Sequence, residues 1–224
     1  MIISTERYTL RSKNDNLMYW EQDIYPAWTA LNCYQHFPNG ASGTGVEPHY
    51  HDCDELWLFT TGRGEVWLNG EKHDITPNTM VYTPMGCVHR FQMFTPYENN
   101  AIVTPLERAR RPTHVTVEVD GPPTPTVPGF VVSGSRNTGP IDGPGQRCPL
   151  TEWRQIELPP GGEIGISATP VNEHWLVLAG TVTLQLDDGE MILSPHDVAL
   201  LRAGTRRRLA APDGARVIVA RERA

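Results

Sequence analysis

Three histidines and one glutamate in the first half of this 224-residue chain have the types and spacing of metal ligands. They are His49, His51, Glu55 and His89. Residues two apart on a strand face the same side, so His49 and His51 project together and Glu55 can join them from the same run. His89 can complete the set from a later strand, giving three imidazole nitrogens and one carboxylate around a first-row divalent metal. Taken alone, the two closely spaced histidines are equally compatible with exposed or hydrogen-bonded side chains.

Turn residues bracket these four positions at fixed distances. Gly43 and Gly62 flank the first three ligands, and Pro84 and Gly86 precede His89. The pattern resembles the two motifs of the cupin superfamily, and residues 43–62 fit the first motif at every specified position. The resemblance covers essentially the whole chain as a bicupin. It implies an all-β fold of two tandem double-stranded β-helix (jelly-roll) barrels, with the specific motifs confined to the first.

The second motif departs from the family pattern at its two ends. Asn78 stands where the family has a leading glycine, a mild change because asparagine tolerates the left-handed turn conformation. Met93 stands where the family has a closing asparagine, so a thioether replaces a polar inward group. Among the cupins, this kind of site serves dioxygenases, decarboxylases, isomerases and lyases, and the resemblance implies one of these activities.

The elements that must position the ligands are expected to be short strands. Twenty glycines and twenty prolines punctuate apolar runs, and between residues 121 and 145 roughly half the residues are Gly or Pro, which excludes helix and interior strand. We therefore predict a metal-binding cupin domain at 1–112, a connector at 113–146 and a second cupin domain, without metal ligands, at 147–224. Within the connector, Val131 and Val132 could form one strand on a neighbouring barrel.

Sliding the sequence by 118 positions aligns the two halves and predicts an internal duplication. The shift superposes Glu55-Leu56-Trp57-Leu58 on Glu173-His174-Trp175-Leu176 and keeps three turn residues in register. It carries the histidine ligands onto Ser167, Thr169 and Arg207. We predict that a Glu173–Arg207 ion pair replaces the metal in the second barrel. The alternative is that Arg207 belongs to a solvated strand of three arginines and Glu173 points elsewhere.

Strand alternation also predicts the surroundings of the metal. Trp57, Phe59, Phe91 and Met93 should share the ligand face and form an apolar pocket wall, unless they are ordinary barrel core. Such a wall suits an aromatic or otherwise apolar small molecule better than a free sugar. Cys53 and Cys87 also lie near the ligands in sequence, either as reactive thiols or as buried filler.

Charge and composition narrow the classes of function. A formal net charge of −7 argues against nucleic acid and anionic membranes as partners. The absence of a long apolar run and the scattered cysteines favour the cytoplasm. We expect a metal-dependent dioxygenase with a small-molecule substrate. Fe2+ is the favoured ion, with Mn2+, Ni2+ or Zn2+ as other candidates, and the chain could form a homodimer. The alternatives are a sugar-type isomerase or epimerase, for which Arg63 and Arg90 are the candidate basic residues, and a non-catalytic metal-containing binding protein.

Overall fold

The computed structural model describes residues 7–10, 17–18, 26, 28–30, 33–103, 113–117, 129–132, 142–143 and 146–223. Every regular element in these segments is a β-strand, and the strands pair antiparallel. The all-β expectation is therefore confirmed. No helix in the described segments is long and apolar enough to cross a membrane.

The first barrel is made of two facing antiparallel sheets. Its strands are β2 (Leu17–Met18), β3 (Cys33–Gly40), β4 (Gly45–His51), β5 (Glu55–Thr61), β6 (Gly64–Leu68), β7 (Glu71–Ile75), β8 (Thr79–Thr83), β9 (His89–Met93), β10 (Tyr97–Val103), β11 (His114–Thr116) and β12 (Phe130–Val132). One sheet has the order β12-β8-β5-β10-β3-β2, and the other has the order β11-β4-β9-β6-β7. The second sheet carries three of the four predicted ligands, and β5 of the first sheet carries Glu55.

The second barrel repeats this plan. Its sheets contain β1 (Arg7–Leu10), β15 (Leu150–Leu158), β16 (Gly162–Ser167), β17 (Glu173–Gly180), β18 (Val182–Leu186), β19 (Gly189–Leu193), β20 (Val198–Leu201), β21 (Arg207–Ala211) and β22 (Ala215–Glu222). They have the orders β1-β20-β17-β22-β15 and β16-β21-β18-β19. A separate short hairpin, β13 (Asp142–Gly143) with β14 (Gln146–Arg147), precedes the barrel.

The 118-residue offset recurs in the strand registers. His49 is paired with His89 across β4 and β9, and Ser167 is paired with Arg207 across β16 and β21, after a register shift at the same place in both barrels. Asn78 has a φ of 65°, in the left-handed region expected for a residue replacing glycine. The two barrels are thus built on one strand plan, with different side chains at the ligand positions.

The sheets do not follow the predicted domain boundaries. β1, from the predicted first domain, pairs with β20 of the second barrel. β11 and β12 lie inside the predicted connector, yet they pair with β4 and β8 of the first barrel. An unpaired strand edge exposes backbone donors and acceptors, and these distant segments cover such edges. The connector thus supplies edge strands to the first barrel.

Three apolar clusters form the core, one inside each barrel and one between them. Trp57 and Val66 belong to the first interior cluster, and Trp175 and Leu184 belong to the second. The cluster between the barrels consists of Leu56, Leu58, Met80, Tyr82, Ile102, Cys148, Leu150, Trp153, Leu176, Leu178, Val198, Leu200, Ile218 and Ala220. β5 and β17 are consequently buried on both faces, because one face looks into its own barrel and the other packs against the second barrel.

A polar network bridges the barrels beside this cluster. Glu98 of the first barrel forms a salt bridge with Arg216 of the second, where the guanidinium Nη2 donates to Oε1 at 3.0 Å. Thr60 and His36 also donate to this carboxylate, His36 through Nε2 at 3.1 Å. The Nδ1 atoms of His36 and His196 lie 2.9 Å apart across the junction. A carboxylate of the first barrel is therefore stabilised in part by the second.

This network predicts acid sensitivity. Burial alone would raise the pKa of Glu98, but the hydrogen bonds from His36, Thr60 and Arg216 outweigh it and lower that pKa from 4.5 to about 2. Because the folded-state pKa lies below the unfolded value, the stabilisation is fully present above pH 4.5 and is lost as the pH falls towards 2. We expect the wild-type free energy of unfolding to fall over this window by on the order of 3 kcal/mol more than that of Glu98→Gln. Urea unfolding of both proteins between pH 2 and pH 7 measures this difference. Free energies of unfolding that change in parallel with pH for the wild-type protein and Glu98→Gln would contradict the expectation.

Candidate metal centre

Strand pairing and one tight connection bring the four predicted ligands to the same end of the first barrel. β4 ends at His51, β5 begins at Glu55, and the Gly86 amide donates to the His51 carbonyl at 3.0 Å, so the turn before His89 is joined to the ligand strand. Gly86 has a φ of 83°, a conformation that explains the glycine at this motif position.

The imidazoles of this cluster converge on the Glu55 carboxylate. Oε2 of Glu55 lies 3.3 Å from Nε2 of His51 and 3.5 Å from Nε2 of His89. The ring of His49 lies 4.9 Å from that of His51 and 4.3 Å from that of His89, measured between centroids. The structure thus brings all four predicted side chains together.

Backbone carbonyls orient each of the three imidazoles. Nδ1 of His49, His51 and His89 donates to the carbonyls of Glu47, Thr113 and Cys87 at 2.6, 3.0 and 2.8 Å. A carbonyl oxygen can only accept, so the proton lies on Nδ1 in each neutral ring. The Nε2 lone pairs then face the cluster, which is the tautomer that a metal ligand needs.

Two orphaned atoms test whether the cluster fits a cation. Oε2 of Glu55 and Nε2 of His89 are buried and have no hydrogen-bond partner. Burial alone would raise the pKa of Glu55, but the imidazoles of His51 and His89 hold it below its usual range, so the carboxylate is ionised. Burial, followed by the charge of His89, lowers the pKa of His49 to about 4, which leaves its imidazole neutral near pH 7. A buried carboxylate ringed by imidazoles whose Nε2 atoms face it fits a divalent first-row metal, the type of ion that would satisfy both orphaned atoms.

A fourth histidine, absent from the sequence prediction, joins the cluster from β11. The ring of His114 stacks on that of His49 at 3.7 Å, and its backbone pairs with His51. Thr113 fixes the segment by donating to both carboxylate oxygens of Asp52 at 2.8 and 2.9 Å. Among the described residues, two donor groups have ligand spacing, His51–Glu55–His89 and His49–His51–His114. His51 belongs to both groups.

The position of His114 predicts a modest role in metal binding. Its side chain is exposed and is not part of the group that contains Glu55, so we expect His114→Ala to weaken metal affinity by less than about tenfold. Competition with a coloured chelator would measure the affinity. Complete loss of metal from this variant would instead make His114 a required ligand.

A cavity of about 490 Å³ adjoins the cluster. It is lined by Gln35, Phe37, Thr44, Val46, His49, His51, Glu55, Trp57, Phe91, Tyr97, Asn99, Ala101 and His114. Trp57 and Phe91, two of the predicted wall residues, line it with their rings in edge-to-face contact at 5.4 Å.

The prediction that Phe59 and Met93 line the pocket is wrong. Both side chains are fully buried in the apolar cluster inside the barrel, where Phe59 contacts Phe91 and Tyr97. Strand alternation correctly predicts that these side chains point into the barrel, but the cavity does not reach all of the side chains on that inner face. The sequence prediction also missed the polar lining residues, because Gln35 and Asn99 lie on strands outside the motifs.

The two cysteines near the ligands do not line the cavity and do not belong to either donor group in the described part of the chain. Cys53 and Cys87 are both buried. Burial raises the pKa of the Cys87 thiol to about 12, so this residue is protonated and unreactive near neutral pH. The reading of Cys87 as apolar filler is the one these observations favour.

In the second barrel, the positions equivalent to the ligands form an ion pair. Nε and Nη2 of Arg207 donate to the two carboxylate oxygens of Glu173, each at 2.9 Å, and the two side chains are only 1% and 2% exposed. Nη1 of Arg207 donates to the carbonyl and hydroxyl of Ser167. Arg221 adds a further hydrogen bond to Glu173 at 2.8 Å. A fixed guanidinium thus lies against the carboxylate that corresponds to Glu55.

These features define a bicupin with one metal-type site and one ion-paired site. The family model described as "Cupin domain" matches residues 34–95 and 154–220, one segment in each barrel. The chain therefore belongs to the cupin family, as the motifs predicted.

Individual relatives are distant. "Uncharacterized protein y4oW" from Sinorhizobium fredii is 28% identical over 85 residues, which are 38% of this chain and 39% of that protein. The matched part thus spans well under half of the relative's length. Among solved structures, a deletion mutant of oxalate decarboxylase from Bacillus subtilis has a TM-score of 0.67 at 12% identity, covering 99% of this chain and 78% of that one. A structure of the same enzyme, described with its Mn(II) centers, has a TM-score of 0.64 at the same identity and coverage. At this identity, the likeness demonstrates the fold alone.

Proposed function

We propose that this chain is a mononuclear metal-dependent cupin enzyme that oxidises a small, largely apolar or aromatic molecule, acting as a dioxygenase. The observation that carries the proposal is the cavity, whose lining combines metal-type donors with four aromatic side chains, two small aliphatic ones and three neutral polar ones. No lysine or arginine is among its described lining residues. A substrate held there would be bound by apolar contact and by the metal rather than by fixed cations.

Different residues of the site would bind the metal ion, orient its ligands and exclude water. His49, His51, Glu55 and His89 would hold a divalent ion, with Fe2+ proposed and Mn2+, Ni2+ or Zn2+ as other candidates. When bound, such an ion supplies Lewis-acid activation and, in the case of iron, electron transfer. The backbone carbonyls fix the imidazole rings, while Trp57 and Phe91 exclude water from the neighbouring wall.

The cavity lining argues against a sugar-phosphate form of the isomerase alternative. A phosphate group is usually bound by lysine or arginine side chains. Arg63 and Arg90 are the candidate basic residues, but neither is among the described lining residues of this cavity, and the guanidinium of Arg90 stacks over Trp67 at 3.9 Å. Decarboxylation, the activity named for the structural neighbours, stays an alternative that the experiment below must separate from oxygenation.

Oxygen consumption tests the proposal. The protein is loaded in turn with Fe2+, Mn2+, Ni2+ and Zn2+ and mixed with a panel of catechols, other phenols and aromatic acids. We expect substrate-dependent O2 uptake with the Fe2+ protein, absent in His51→Ala and retained in His73→Ala, which changes a histidine outside the cluster. CO2 release without O2 uptake would replace the proposal with a decarboxylase. Tight binding without turnover would favour a non-catalytic protein.

A further inference from the structure

Asn99 combines burial, an unpaired polar atom and a place on the cavity wall. Its side chain is buried, and Oδ1 has no hydrogen-bond partner. The residue lies on β10, where it pairs with Phe59 of β5 on the face that also carries Glu55. Buried amide atoms are nearly always hydrogen-bonded in folded proteins, so an orphaned one on a cavity wall is available to a polar group of a ligand.

The strand register gives the distance between this amide and the metal end of the cavity. Val103 of β10 is level with Glu55, and Asn99 is level with Phe59, four residues further along both strands. Four residues of antiparallel strand span about 13 Å. Ala101, between them, is small, and Gln35 pairs with it from β3 at an intermediate level. The cavity is therefore elongated, with donors for a cation at one end and an amide at the other.

We infer that Asn99 binds a hydroxyl or amide N–H at the end of the substrate remote from the metal. The inference rests on the proposed function and specifies its substrate as an elongated aromatic molecule of about two rings, with a neutral polar group at its far end. A hydroxyl suits either orientation of the Asn99 amide, because it can both donate and accept a hydrogen bond. A charged far end is disfavoured, because the described lining holds no lysine or arginine, and its one carboxylate, Glu55, lies at the metal end.

Two catechols that differ only at the far ring test the inference. 4-(4-Hydroxyphenyl)catechol carries the distal hydroxyl, and 4-phenylcatechol lacks it. Their dissociation constants are measured by calorimetry on the Zn2+-loaded protein, so that binding is read without turnover. We expect the wild-type protein to bind the hydroxylated compound about fivefold more tightly, as one net hydrogen bond of about 1 kcal/mol provides. In Asn99→Leu, the preference for the hydroxylated compound over 4-phenylcatechol should fall to within twofold.

Asn100→Leu is the matched control. Asn100 is also a buried amide without partners, but it is level with Leu58 and faces the cluster between the barrels rather than the cavity. This variant should keep the fivefold preference. Asn99→Ser serves as a second variant if Asn99→Leu does not fold. The inference is overturned if the wild-type protein shows no preference, if Asn99→Leu or its Ser replacement keeps the preference, or if neither catechol binds. Failure of O2 uptake alone would contradict only the proposed oxygenase.

Discussion

Replacing Arg207 with alanine should lower the free energy of unfolding by about 3 kcal/mol, because the change leaves the buried Glu173 carboxylate without its bidentate partner. Arg221 still donates to Glu173 from a more exposed position, so the loss should lie at the lower end of the range for broken buried ion pairs. Urea or thermal unfolding of the purified variant measures the change.

The neighbouring arginines provide matched controls. The side chains of Arg206 and Arg208 are 60% and 42% exposed and pair with the exposed acids Asp187 and Glu163. Arg206→Ala and Arg208→Ala should therefore each change stability by less than about 0.5 kcal/mol. The double variant Glu173→Gln, Arg207→Met should recover much of the loss, since the carboxylate is removed together with its partner. Equal, small effects of replacing Arg206, Arg207 and Arg208 would contradict the role of the buried ion pair and favour the alternative of a solvated arginine strand.

His51→Ala should remove bound metal, lowering affinity by more than about 100-fold, because His51 is the one residue shared by both donor groups among the described residues. We expect the wild-type protein to hold about one metal ion per chain, since ligand spacing in the described segments occurs only in the first barrel. Metal analysis after dialysis against a weak chelator measures both quantities, with His73→Ala as the control.

The fold of the His51→Ala variant should be intact. The core of the first barrel consists of apolar side chains such as Val66 and Ile75 and includes none of the metal ligands, so its packing does not require a bound ion. Circular dichroism and unfolding should therefore match the wild-type protein measured without metal. A globally unfolded variant would make the centre structural, and a metal content near two per chain would contradict the asymmetry between the barrels.

The sequence was most informative where the chemistry is local in the chain. Turn residues at fixed spacing identified the family, and the constant offset between the halves pointed to Glu173 and Arg207, which the structure places in direct contact. Residues two apart on one strand share a face whatever the rest of the fold does. Spacing alone was therefore sufficient for His49 and His51 to be placed side by side.

Features that depend on distant segments were not predictable in the same way. His114 reaches the site because β11 pairs with β4, although the run Thr113-His114-Val115-Thr116-Val117 has the β-branched character of a strand. Asn99 reaches the cavity through the register of β10 against β5. The side chain of Phe59 points into the barrel as predicted, but its distance from the cavity depends on how the two sheets of the barrel pack against each other. Pairing across long separations leaves no periodic signal in the sequence.

The pairing of β1 with β20 has a consequence for synthesis on the ribosome. The partner of residues 7–10, residues 198–201, emerges from the ribosome almost two hundred residues later. At about 5–20 residues per second, the strand waits for roughly 10–40 seconds before it can pair. The first barrel acquires β12 once residue 132 has emerged, well before the N-terminal strand acquires its partner. Strand β1 is thus made long before the sheet that it joins, and it can enter that sheet only after β20 of the second barrel has been made.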